Sequence, residues 1–249
     1  MTDFSFQLYS ARKISPIDAI LPLLAGEGYR QVEGFGGVYG DAEGFAEKLK
    51  ENGLSMPTAH FGLDLLENPE STIRIANTLG VRTVICPAVP WDKRDMDEAG
   101  WDAMGEALAR FTTIYQGAGF DFAWHNHDFE FTPTASGKMP MDILLAAAPG
   151  MLWEMDVAWL ISAKQAPFDW FDRYGPRITA VHVKDIALPG QGLEEDGWAD
   201  VGFGEIDWPT LFAEIRANTA ARYFVIEHDN PSDVGRFASR SIASASNWR

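Results

Sequence analysis

The run WHNHDFEF, residues 124 to 131, sets His125 and His127 two residues apart, behind apolar residues and ahead of two acids. Imidazole nitrogen and carboxylate oxygen are donors that divalent metals accept, and they also carry protons to and from a carbon next to a carbonyl. The same residue types recur downstream: Glu154 and Asp156 in WEMDVAW, His182 and Lys184 in HVKD, and Glu227 in VIEHD. All five histidines, His60, His125, His127, His182 and His228, stand at or just past the end of a short run rich in β-branched and aromatic residues. Random placement would scatter them, so the elements that carry these runs must be what positions the chemistry.

Eight such runs read as strands: 4–10, 31–35, 54–60, 82–88, 120–126, 151–157, 178–184 and 222–228. Between them lie amphipathic or polar stretches with helix start and stop signals, at 16–28, 41–53, 68–80, 97–119, 139–150, 168–175, 207–219 and 233–248. Strict alternation of eight strands and eight helices predicts an α/β fold, a single (β/α)₈ TIM barrel formed as one domain over residues 1–249. An open doubly wound sheet is the alternative. Against it, the first run is followed by QLYSARKIS, where such a sheet carries a glycine-rich phosphate loop.

In such a barrel chemistry is done at the C-terminal ends of the strands, and successive side chains alternate between core and helical layer. With the bulky apolar face outward, the inward set at the mouth is His125, His127, Glu154, Asp156, His182, Lys184 and Glu227. Leaving one charge buried and unpaired costs roughly 3–5 kcal/mol, so three acids gathered here call for compensation. A divalent cation supplies it. Mixed oxygen and nitrogen donors suit Mn²⁺, Co²⁺, Zn²⁺ or Mg²⁺, and the one cysteine, Cys86 in the apolar TVICPAV, reads as a buried thiol rather than a ligand.

Composition narrows the function classes. Thirty-six acidic residues against 20 basic ones give a formal charge of −16, which repels a phosphate backbone, so a nucleic-acid partner is not expected. The amino terminus has no basic-then-apolar leader pattern and no apolar run reaches membrane-spanning length, so the reading is of a cytoplasmic protein with no membrane partner.

Taken in order, FQLYSAR, HNHDFEF, WEMDVAW, HVKD, GFGEIDW and VIEHD resemble the xylose isomerase-like TIM-barrel superfamily, which includes the sugar phosphate isomerase/epimerase family. The resemblance covers nearly the whole chain. It implies one divalent metal ion (Mn, Co, Mg or Zn), held by Asp156, His182 and Glu227, with His125 in the strand-five slot where many epimerases carry glutamate. His127 and Glu130 are the alternatives for that slot. It further implies a small-molecule sugar or cyclitol substrate, a homo-oligomer as the candidate assembly, and proton abstraction next to a ketone through a metal-bound enediolate.

On this reading Glu227 is the base, His125 or Glu154 handles a proton on the opposite face, and Lys184 holds a substrate oxygen. His60, His127 and Gln7 are further candidate substrate contacts, with Tyr9, Glu33 and the loop tryptophans Trp91, Trp159 and Trp198 as possible walls; His60 reads equally well as a structural histidine. His228 faces outward and reads as structural. Asp185 reads as the acceptor that orients His182, since a metal-bound imidazole usually donates its other N–H. GFGE at 202–205 resembles a phosphate cradle but reads as a loop entering a helix, which leaves a neutral sugar, cyclitol or keto-glycoside as substrate. The alternative function on the same barrel is a metal-dependent lyase or dehydratase, inosose dehydratase-like or a keto-glycoside eliminase.

Overall fold

The computed structural model describes residues 3–248. Eight parallel strands close into a barrel: β1 (Phe4–Gln7), β2 (Gln31–Gly34), β3 (Ser55–His60), β4 (Thr83–Cys86), β5 (Asp121–His125), β6 (Leu152–Asp156), β7 (Ile178–Val183) and β10 (Tyr223–Ile226). Each neighbours the next around the ring, with β10 paired to both β7 and β1. The remaining two, β8 (Asp185–Ile186) and β9 (Trp198–Ala199), form a short antiparallel pair in the loop after β7.

The helices begin where the capping chemistry places them. Asp41, Asn68, Asp97, Asp207 and Asp233 each accept a backbone N–H at the start of α2 (Ala42–Glu51), α4 (Pro69–Leu79), α5 (Glu98–Gly117), α9 (Trp208–Asn218) and α10 (Val234–Ala245). Proline occupies the first turn of α1 (Leu21–Glu27), α4, α6 (Pro140–Ala147), α8 (Pro167–Tyr174) and α9, where its missing N–H has no helical partner to lose. Two short helices lie outside the eight stretches read from the sequence, α3 (Leu63–Leu66) and α7 (Val157–Ser162), the latter capped by Asp156. Among the described residues no helix is long and apolar enough to cross a membrane.

The apolar core lies between barrel and helices. Phe6 packs against Tyr29 and Phe237, Phe122 stacks on Tyr115, and Trp153 meets Trp170 edge-on. Those outward residues release the alternate positions to the barrel interior, which is polar from side to side: Ser5, Gln7, Glu33, Thr58, His60, Thr83, His125, Glu154, Asp156, His182 and Lys184 are all buried. Strand register sets their heights. His125 pairs with Glu154, Asp156 with His182, and Gln7 with Glu33, so these side chains meet in layers across neighbouring strands.

The strands are shorter than the apolar runs that announce them, because the chain turns as soon as it leaves the barrel. After Gln7 it enters a 3₁₀ turn, Leu8–Ala11, and after Asp156 it enters α7 directly.

Candidate metal and active centre

At the C-terminal mouth a cavity of about 840 Å³ opens over the polar interior. Its floor includes His60, His125, His127, Glu227 and Asp229, and its walls include Tyr9, Phe35, Trp91, Phe129, Trp159 and Trp198. Aromatic faces around polar groups suit the mixed CH and OH surface of a sugar ring.

Two groups of metal-capable donors lie beneath. Asp156, His182 and Glu227 each offer one atom, and these atoms lie within 4.8 Å of one another; His60, His125, Glu154 and His182 form a second such group. His182 belongs to both because its Nδ1 faces Glu227 at 2.8 Å while its Nε2 faces Glu33 at 2.7 Å and Glu154 at 3.2 Å. The four ligands implied by the resemblance therefore divide: three converge, and His125 falls in the deeper group beside Glu154. Glu130, an alternative for the strand-five slot, turns away and accepts from Trp124 Nε1 and the His127 amide.

The donor set fits a cation. Asp156 spends Oδ1 capping α7 at Trp159 N (2.9 Å) and keeps Oδ2 buried without a partner. Lys184 Nζ stands 3.7 Å from that oxygen and 3.5 Å from Glu227, and is bonded to Asp229. Three carboxyl groups thus share one ammonium, with His182 as a further partner of Glu227.

Charge states follow from these neighbours. Burial pushes Asp156 up to about 7, although Lys184 and His182 oppose it. For Glu227 burial acts upward too, but His182 and Lys184 win and hold it well below the usual carboxylate range, so it is ionised. Burial disfavours charge on His60, yet Glu33 and Glu154 overcome it and raise the ring to about 10. His182 is raised for similar reasons, by Glu154, Glu227 and Glu33. His125 and His127 go the other way: burial and the positive groups around them keep both neutral, with His127 lowered to about 3. A neutral ring is the form that binds metal or takes up a proton.

Several expected roles need correction. Gln7 is not a wall of the cavity; it is fully buried, donating to Glu33 at 2.6 Å while its Oε1 holds the Tyr9 amide. Glu154 lies beneath His60 and His125, fully buried and away from the cavity lining. Lys184 is also fully buried, its ammonium over the rings of Trp159 (4.8 Å) and Trp198 (4.2 Å), so it reaches the cavity through the carboxylates it pairs.

Asp185 does not touch His182. It accepts the backbone amides of Gly202, Gly204 and Ile206, so the phosphate-cradle lookalike is filled by the chain's own carboxylate. A Cβ at Gly204 would lie 2.3 Å from Asp185 Oδ1, which is why glycine stands there. His228 packs edge-on against Phe237 outside the barrel, in keeping with its outward face.

Residue types alone did not reveal Asn126. Its Oδ1 accepts from Trp153 Nε1 (2.8 Å) and Asp156 N (3.0 Å), and its Nδ2 donates to Asp156 O (3.0 Å). One side chain thereby ties the end of β5 to the backbone of the β6 aspartate. The signal was its place between the two histidines, on the face opposite to theirs.

A barrel with this layout defines a family. A profile described as xylose isomerase-like TIM barrel matches residues 21–248, and the chain belongs to that family. Among solved structures it is similar to a sugar phosphate isomerase/epimerase from Parabacteroides distasonis, with TM-score 0.82 and 19% identity over 100% of this chain and 96% of that one. It is also similar to the probable 3-DHS dehydratase AsbF involved in petrobactin synthesis from Bacillus anthracis, with TM-score 0.77 and 15% identity over 100% of both chains. A third, an IOLI protein with a zinc atom, has TM-score 0.77 and 14% identity over 98% of this chain and 95% of that one. At these identities the likeness is one of fold. No curated protein sequence matches the chain.

Proposed function

We propose that the protein is a divalent-metal-dependent sugar isomerase or epimerase that removes a proton from carbon next to a ketone. The observation that carries this reading is the convergence of Asp156, His182 and Glu227 on one small volume, with an unpartnered Asp156 oxygen, beneath the floor of a sugar-sized cavity that Glu227 lines. Those three residues would hold the cation. When bound, it supplies Lewis-acid polarisation of adjacent carbonyl and hydroxyl oxygens.

The chain's own groups do the rest. Glu227, ionised and in the cavity floor, takes the substrate proton. Lys184 steadies Glu227 and Asp229 from below, and Trp159 and Trp198 confine the ammonium between their faces. His125, neutral and 3% exposed, relays a proton to the other side of the substrate, giving up one ring N–H as its Nδ1 takes a proton from Glu154 at 3.1 Å, whose carboxyl burial raises.

Elimination is the second reading, and one observation favours it: His125 and His127 face the cavity where strand five ends, while Glu130 is turned away. His127 has a buried Nδ1 with no partner, a neutral acceptor beside the substrate space. In that reading Glu227 still removes the proton, while His60, protonated and in the cavity lining, gives its proton to the departing hydroxyl, which leaves as water.

Incubating Mn²⁺- or Co²⁺-loaded protein with keto-sugars and keto-cyclitols in deuterated water tests both. Deuterium at the carbon next to the ketone, lost in Glu227→Gln, is the expected result. An unsaturated ketone absorbing in the ultraviolet would favour elimination. Full turnover in Glu227→Gln would end the assignment of the base.

A further inference from the structure

One charged side chain of the cavity wall has no part in that reaction. Arg94, in the loop after β4, lines the cavity, and its guanidinium carbon lies 3.7 Å from the centre of the Trp91 ring and 4.5 Å from that of Phe129. A ring this close keeps water from the face of a guanidinium and leaves the edge, with its N–H donors, to find acceptors. Arg94 Nε is buried and has no hydrogen-bond partner. Burial pulls the group down, and among the described residues Glu130 and Asp128 oppose this from a distance, without bonding to it. Burial also lifts Glu130 to about 8, so at neutral pH it lends Arg94 little charge. The other guanidinium of the lining, Arg12, is already engaged: it lies over the Tyr9 ring and donates to Tyr9 O at 3.0 Å. A cation with a stranded N–H at the wall of a cavity calls for an anionic acceptor from outside the chain.

Arg94 also ends a continuous wall. Its neighbour Phe129 stacks on His127 at 5.6 Å, and His127 meets Trp159 at 5.7 Å, the ring beside the Lys184 ammonium that pairs with Glu227. The row leads from the carboxylate that takes the proton to the guanidinium, along a face on which a sugar chain can lie. We propose that Arg94 is a specificity residue that binds a carboxylate at the end of the substrate remote from its ketone, so that the substrate is a keto-sugar acid and not the neutral sugar expected from the sequence. This rests on the reading of the cavity as a keto-sugar site and names its substrate class. The two oxygens of a carboxylate accept from Nε and one Nη side by side. A phosphate ester suits the place less well. Asp95, Asp128 and Asp196 also line the cavity and repel a dianion about twice as strongly as a monoanion, and the amides of the GFGE loop that could cradle it are held by Asp185.

The test is isothermal titration of Mn²⁺-loaded protein with D-fructose, D-fructuronate and D-fructose 6-phosphate, which share the ketone end and differ at carbon six. Wild type is expected to bind the acid about ten- to a hundredfold tighter than fructose, the range that a hydrogen bond to a charged group gives. Arg94→Gln is expected to bring the acid down to the affinity of fructose, and Arg94→Lys, which keeps the charge without the fork, to recover part of the difference. A merely structural Arg94 would weaken all three ligands alike, and that result overturns the proposal. So does equal affinity for acid and neutral sugar in wild type, a preference that persists in Arg94→Gln, tighter binding of the phosphate than of the acid, or no binding of the acid. Deuterium exchange separates this from the reaction itself. An acid that binds through Arg94 yet exchanges nothing next to its ketone upholds the carboxylate seat and counts against proton abstraction, whereas exchange in fructose with no preference for the acid upholds proton abstraction and overturns the seat.

Discussion

The two tiers of the barrel interior hold similar residues in opposite electrostatic conditions. In the lower tier Glu33 and Glu154 face two imidazoles, His60 and His182, that the acids themselves keep protonated, so charges match one for one. In the upper tier Asp156, Glu227 and Asp229 face one ammonium, Lys184, and share His182 with the lower tier through Glu227. His60 reaches the cavity from the matched tier, and Glu227 and Asp229 reach it from the unmatched one, while Glu33, Glu154 and Asp156 are fully buried. Excess acid sits where substrate arrives, and because burial raises Asp156 to about 7, a cation there would compete with a proton.

The largest effect that would break this contrast is on turnover. Glu227→Gln preserves shape and hydrogen bonding but removes the proton acceptor, and should lower kcat toward the upper end of roughly 10²- to 10⁴-fold, with the melting temperature little changed. Steady-state kinetics beside a thermal melt separates this from unfolding. A loss smaller than tenfold would move the base elsewhere in the upper tier, with Asp229 the next acid on the cavity floor.

Next comes Lys184→Met. Breaking a buried ion pair by deleting one partner costs roughly 3–5 kcal/mol, because the remaining charges lose their compensation. Here three carboxylates are left together, so the loss should show in chemical denaturation and should shrink when divalent metal is added. A melt that metal does not move would show that the upper tier holds no cation.

The contrast also marks what could be read before the fold was known. Periodicity located all eight barrel strands and the eight principal helices, since each strand alternates bulky apolar residues with small or polar ones and each helix has a cap or a proline. The histidines at strand ends predicted the mouth. What alternation cannot supply is the partner across the barrel. Glu33 on β2 and His60 on β3 meet His182 on β7 through the interior, at sequence separations of 149 and beyond 100 residues, and no local pattern encodes that. The fate of Asp185 was hidden for a related reason: three amides from a loop 17 to 21 residues downstream outcompete the neighbouring imidazole. The short α7 was missed because its start signal is Asp156, which reads first as a ligand.

Asn126→Ala probes how firmly the upper tier is anchored. It strands Trp153 Nε1 and the Asp156 amide, two buried donors, and an unsatisfied buried donor costs about 1–3 kcal/mol. Stability should fall by about that amount, and metal affinity with it, since the Asp156 backbone is released. Asn126→Asp restores the acceptor and should recover the Trp153 bond. If both variants bind metal as the wild type does, the tie from β5 to β6 is structural only.

The last effect lies beside the tiers, at Glu130, and it carries a sign. Burial raises this carboxyl to about 8, against the lowering influence of the amide and indole bonds it accepts. The folded protein therefore holds a proton there that the unfolded chain releases near the ordinary value of 4.5. Where the folded state binds more protons, stability falls as pH rises, so Glu130 contributes least destabilisation below pH 4.5 and progressively more up to about 8. Glu130→Gln imitates the neutral acid. It should melt close to wild type at pH 5, while wild type loses ground to it between pH 6 and about 8. Parallel melting curves across that window would mean that the Trp124 and His127 donors keep Glu130 ionised, and that its two bonds, rather than a proton, hold the turn carrying His127.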